Sequence, residues 1–374
     1  MFKRLLSLLL AGVLIICLAA CGGSAEKANG AEETPAAAQS GADAVKESET
    51  EKKDSTAASS ETEPAPEPSG NVMLYSSLKE AQLEAVKEGF MKKYPKIKMD
   101  YYAAGTSKVA TKLATERQSG QIACDVVWVG DPSNYITFKE QGILEAYDSP
   151  EAANIDAAFK DPDNCYVGGR LIAMGFAYNT NNVKEEDAPR VWNDLLKDEF
   201  KNQIVMTDPG ESGTTFYLVA GMMENDKYGI DFFKKLKEHG TELESGTTST
   251  HTKVAANAYK VCIAVDYVTQ TLEKDGSTIK FVYPDEDLVA ISSPIALIKD
   301  SKNQDNAKLL FDFILSVEGQ QILAANDCSP IRNDVIKEGA LSIDEIVARS
   351  MTIDNAYIAE HDTEFLSEYD KIFK

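Results

Sequence analysis

From residue 71 onward, short apolar runs rich in Val, Ile and Tyr alternate with stretches of helical period, which restricts the chain to α/β architecture with mainly parallel sheets flanked by helices. Residues 72–75 read as a first strand. Leu83, Val86, Phe90 and Tyr94 follow at helical spacing, and Pro95 stops that helix before a strand over 97–102. A second helix carries Val109 and Leu113 with Ala110 and Ala114 and leads to a strand over 125–129. A second set follows, with strands over 204–206 and 261–265 and helices over 214–223 and 254–259. About 300 residues exceed what one core usually supports, so two lobes are expected. In that division 71–175 plus 286–330 form one lobe, 176–285 the other, and 331–374 closing helices, with crossings over 171–179 and 290–299.

The amino end has a different character. Lys3 and Arg4 precede an apolar run over 5–20 that ends in Leu18-Ala19-Ala20-Cys21, the pattern of a bacterial lipoprotein signal and its lipobox. Residues 1–20 are expected to be removed as a signal peptide and Cys21 to be lipidated. Two or more acyl chains anchor stably where one does not, so the protein is expected on the outer face of the cytoplasmic membrane. Residues 21–70 form an acidic linker, without an aromatic and with Val45 as its one β-branched aliphatic, too poor in apolar surface to offset ordering. The signal contributes +2 and the linker −7 to the total of −22, which leaves −17 on the remainder and argues against a nucleic-acid partner. Cys124, Cys165, Cys262 and Cys328 have no metal spacing and are expected as free buried thiols. Neither metal nor cofactor is expected.

In open parallel sheets a ligand sits beyond the carboxyl ends of the strands, where helix N-termini aim N–H groups into the crevice. Ser76-Ser77 follows the first strand, Gly105-Thr106 the second and Gly130-Asp131 the third, while Ser212-Gly213-Thr214 opens a buried helix in the second half. Such loops can bind a phosphate, phosphonate, sulfate or carboxylate without Arg or Lys. Each of them also suits plain helix capping. Ser249 lies ahead of a further helix, and Asp266 and Tyr267 follow the 261–265 strand; Asp266 can take ligand hydroxyls or an ammonium, pair with a metal, or cap its own helix. Ser77, Thr106 and Thr214 must face one enclosed gap if the chain captures a solute.

Several stretches together resemble a known family: Leu74-Tyr75-Ser76-Ser77, Ala123-Cys124-Asp125-Val126-Val127-Trp128, Tyr178-Asn179-Thr180-Asn181, Asp208-Pro209 through Ser212-Gly213-Thr214, and Ser293-Pro294-Ile295-Ala296-Leu297-Ile298. The chain resembles family-1 extracellular solute-binding proteins of the type II periplasmic-binding-protein fold, in the branch with ferric-ion, 2-aminoethylphosphonate, sugar-phosphate and thiamine receptors. The resemblance covers about Val72 to Ala324. It implies a monomeric receptor that closes two lobes over a small polar solute and presents it to an ABC permease. Ferric receptors of this kind carry tandem tyrosines where this chain has Asp266-Tyr267-Val268, so an organic anion is expected ahead of ferric ion or thiamine. Asp131 and Asp266 are expected on the hydroxyls of the ligand.

Two other classes share some features. An enzyme is hinted at only by Ser76-Ser77-Leu78-Lys79, a Ser-x-x-Lys without the Ser-Asp-Asn or Lys-Thr-Gly that accompanies it in acyltransferases. A surface adhesin or sensor module shares anchor and linker but calls for a flat binding face instead of a cleft.

Overall fold

The computed structural model describes residues 67–374. The expected signal peptide, Cys21 and nearly all of the linker lie outside the described residues. The described chain opens with β1 (Gly70–Ser76), α1 (Glu80–Lys93), β2 (Ile97–Ala103), α2 (Thr106–Gln118), β3 (Val126–Trp128), α3 (Ser133–Glu140), β4 (Leu144–Glu145) and β5 (Val167–Gly168). β1 pairs in parallel with β2 and β3, so the turns after all three strands emerge at one edge of this first sheet. Leu83, Val86 and Phe90 of α1 and Val109 and Leu113 of α2 are buried, the apolar stripes that dock these helices on the sheet.

After Gly168 the chain crosses to a second sheet through β6 (Ile172–Asn179), whose eight residues are all buried. There follow β7 (Ile204–Thr207), α4 (Gly213–Glu224), α5 (Gly229–Glu238), β8 (Glu242–Glu244), α6 (Thr247–Ala255), β9 (Val261–Val265), α7 (Asp266–Lys274), β10 (Ile279–Val282) and β11 (Val289–Ile291). β7 is parallel to β8 and β9, whereas β6 runs antiparallel to β9. A second crossing at Ser292-Ser293 returns the chain to the first sheet as β12 (Pro294–Ile298), antiparallel to β3. Both sheets are therefore mixed: the helix-linked strands run parallel, and β6 and β12, the strands that follow the crossings, run against them. Every residue of β3, β7, β9 and β12 is buried, as strands covered on both faces require.

The closing elements are α8 (Gln304–Leu315), α9 (Val317–Ala325), α10 (Ile343–Arg349) and α11 (Asn355–Phe373). α10 sends Ile343 and Ile346 into the core of the first lobe. α11 sends Ile358, Phe365, Tyr369 and Phe373 into that of the second, and it also packs along α3 of the first.

One helix departs from the expectation. α6 begins at Thr247 and ends at Ala255, so the helix expected over 254–259 is displaced toward the amino end, and Ser249 lies inside it. The hydroxyl-rich run Thr247-Thr248-Ser249-Thr250 has weak intrinsic helix preference, and burial of Thr250, His251 and Val254 overrides it. All four described cysteines are free, with Cys124, Cys262 and Cys328 buried and Cys165 partly exposed.

Candidate ligand-binding cleft

A cavity of about 370 Å³ opens between the two sheets, and five helices begin at its wall. Ser77 and Lys79 at the start of α1 and Gly105 and Thr106 at the start of α2 line it from the first lobe. Ser212, Gly213 and Thr214 of α4, Gly246 to Ser249 of α6, and Tyr267 of α7 line it from the second. The first N–H groups of a helix have no partner within the helix. At α2 and α6 the cap positions are Gly105 and Gly246, which leave those groups without a side-chain cap.

Ser77, Thr106 and Thr214 do face one gap. A Cβ added at Gly130 would stand 3.0 Å from Thr214 Cγ2 and 3.7 Å from both Ser77 Oγ and Thr106 Oγ1, so these three side chains surround one point. The Gly130 N–H donates to Thr106 Oγ1 at 3.3 Å, which fixes that hydroxyl at the junction. Ser212 Oγ accepts from Thr215 N–H at 3.4 Å and lies 3.0 Å from Thr214 Oγ1, so it caps α4 while standing in the cavity wall. The lobes touch around the ligand space: Lys79 Nζ donates to Thr248 Oγ1 at 2.6 Å, and Lys108 pairs with Glu211 at 3.6 Å.

Four expected ligand residues, Ser76, Gly130, Asp131 and Asp266, are not part of the cavity lining, and the three with polar side chains serve the scaffold. Ser76 is fully buried, donates to Trp128 O at 2.8 Å and accepts from Leu78 N–H at 3.2 Å, which shapes the turn that presents Ser77. Asp131 lies outside this cavity and accepts from Ser133 N–H, Ser133 Oγ and Asn134 Nδ2, closing the first turn of α3. Asp266 is buried at the start of α7, where it accepts from Ser329 Oγ at 3.1 Å. Burial pushes both carboxyls up, that of Asp131 to about 7.

A sequence profile of the bacterial extracellular solute-binding proteins matches residues 125–361. The chain belongs to that family. Family members bind a solute outside the cytoplasm for an ABC transporter and carry out no reaction. This solute-binding protein is 26% identical over 250 residues to the putative 2-aminoethylphosphonate-binding periplasmic protein of Salmonella typhimurium, covering 64% of this chain and 71% of the relative. Among solved structures, the periplasmic binding protein AfuA from Actinobacillus pleuropneumoniae, with exogenous fructose-6-phosphate bound, superposes with a TM-score of 0.73 at 23% identity, covering 81% of this chain and 98% of that one. The ferric binding protein from Campylobacter jejuni gives 0.68 at 28% identity, covering 80% and 99%. The shared architecture is the periplasmic-binding-protein fold.

In this solute-binding protein the cleft also holds a residue that sequence reasoning missed. Arg170, between β5 and β6, is 1% exposed yet lines the cavity. Its guanidinium lies 4.6 Å from the ring centroid of Tyr267, and one terminal nitrogen donates to Cys328 Sγ at 3.2 Å. Its Nε has no partner. Lys79 shares the cavity, and burial, followed by the charge of Arg170, lowers its pKa. An isolated Arg on a crossing segment carries no motif. The signal available was its place between Gly168-Gly169 and the apolar run of β6, where a charge has few reasons to be.

Proposed function

We propose that this solute-binding protein captures a small organic anion with a phosphoryl head, a phosphonate or a sugar phosphate, between its lobes. The observation that carries the proposal is Arg170. Arginine does not shed its proton in proteins, and an unpaired buried charge is costly, so a guanidinium without a carboxylate at a cavity wall calls for an anion. Uncapped N–H groups at α2 and α6 and the hydroxyls of Ser77, Thr106, Ser212 and Thr214 add donors at the same place. A cavity of about 370 Å³ accepts ligands of this size. The names of the Salmonella relative and of the Actinobacillus complex point to the same chemistry.

The ferric alternative has less support in this chain, because Asp266-Tyr267-Val268 stands where the ferric receptors it resembles carry tandem tyrosines. A thiamine cation would meet Arg170 and Lys79. An adhesin's flat face is the wrong geometry for a donor-lined gap between two sheets. Thermal unfolding with 2-aminoethylphosphonate, fructose 6-phosphate, thiamine and ferric citrate tests the proposal. A true ligand at a hundredfold excess over its Kd stabilises by about 2.7 kcal/mol. Shifts confined to the phosphoryl compounds are expected; a shift with ferric citrate or thiamine alone would refute it.

The lipobox and the acidic linker support a receptor tethered by lipid at Cys21, outside the cytoplasmic membrane and beside its permease. Cys21→Ser is expected to move the protein from the membrane pellet to the soluble fraction. Continued pelleting would remove the anchor.

A further inference from the structure

We infer that Lys79 is the specificity-determining group by which the cleft reads the second negative charge of its oxyanion, an inference that rests on the phosphoryl ligand proposed above. Two cations line the cavity without a carboxylate within 4.0 Å among the described residues, Arg170 and Lys79. They differ from Lys108 at the same mouth, which already has Glu211 at 3.6 Å. Glu80 is next to Lys79 in sequence and also lines the cavity, but it is exposed and forms no ion pair with it.

Lys79 stands in an unfavourable field. Arg170 faces it through the cavity, and the Lys79 ammonium donates to Thr248 Oγ1 at 2.6 Å in the first turn of α6, the positive end of that helix. This hydrogen bond joins the two halves, since Lys79 belongs to the first lobe and Thr248 to the second. One negative charge on the ligand answers Arg170. A second is needed to answer Lys79, so a doubly ionised head is favoured over a singly ionised head of the same tetrahedral shape.

Matched ligand pairs test this at pH 8, where a phosphoryl group with a second pKa of about 6 is a dianion. 2-Aminoethylphosphonate against taurine and fructose 6-phosphate against fructose 6-sulfate keep skeleton and geometry and remove one charge. Calorimetric titration of the parent is expected to show a preference of about tenfold or more for the phosphoryl member of a pair. In Lys79→Gln and Lys79→Met the preference should fall to within about twofold, while Lys79→Arg retains it. Unliganded melting curves matching the parent's confirm that the variants are folded. A parent that binds the phosphoryl member without preferring it, or a Lys79→Met protein that keeps the tenfold ratio, overturns this inference alone. A parent that binds neither phosphoryl compound overturns it together with the proposed ligand class.

Discussion

Thr106, which opens α2 in one lobe, and Gly213, which opens α4 in the other, meet so closely that a Cβ on Gly213 would stand 2.5 Å from Thr106 Cβ. At the same seam a Cβ on Gly105 would come within 3.2 Å of Glu211 O. The halves seal because glycine leaves room for backbone to approach side chain. Gly213→Val is therefore expected to prop the cleft open. Phosphoryl-ligand affinity should drop by about tenfold or more, with the unliganded melting temperature little changed. Small-angle scattering should show the parent shrinking on ligand addition and the variant not. An unaltered affinity would mean that the seam takes no part in closure.

Arg170 separates binding from stability. Arg170→Met removes a buried charge that lacks a carboxylate, while keeping an unbranched side chain over Tyr267. Titration calorimetry is expected to show binding of phosphoryl compounds lost, with the unliganded protein melting at or above the parent temperature. A large fall in melting temperature would make the guanidinium a structural strut.

Ser212 and Thr214 divide capping from contact. Ser212→Ala should cost about 1 kcal/mol of stability, because its hydroxyl closes α4, as well as weakening ligand binding. Thr214→Val keeps the helix cap and the side-chain shape, so it is expected to weaken binding alone. Urea denaturation paired with calorimetry reads both; equal affinity in the two variants and the parent would remove these hydroxyls from the site.

His251 makes stability depend on pH. Its Nε2 accepts from Val265 N–H at 3.0 Å and its Nδ1 donates to Thr247 O at 2.7 Å, a pattern that needs the neutral ring. Burial lowers its pKa from 6.5 to about 4. Between those values the unfolded chain takes up a proton that the native protein refuses. Stability on this account falls as pH falls through the window, by on the order of 3 kcal/mol. Asp131, pushed up to about 7, acts oppositely, since the native form protonates first. Comparison with His251→Gln isolates the histidine: the stability gap between parent and variant should narrow from about pH 7.5 to about pH 5 in urea titrations. A constant gap would rule out its titration.

The order of strands and helices was legible because punctuation was local, as at Pro95 after α1 and the Ser-Gly-Thr opening of α4. The hydroxyl loops were legible for the same reason: each is a strand end followed at once by a helical period. The beginning of α6 was hidden, since a run of Thr and Ser looks like a loop until packing around Val254 and His251 is known. Arg170 was hidden too, because only the crossing of the chain between two sheets brings it to the same space as Lys79. Asp131 and Asp266 stood at apt sequence positions for ligand hydroxyls. Whether a carboxylate turns inward to its own helix or outward to solute depends on side-chain rotation, which spacing does not encode.

The chain passes between its two sheets at two crossings, one beside Arg170 and one at Ser292-Ser293. The guanidinium sits on a crossing and not on either sheet, so in the binding mode proposed above the cargo is held at the axle and not by a jaw. If the jaws part about that axle, the hydroxyls and helix ends withdraw first, and the anion proposed above is left hanging from a single cation.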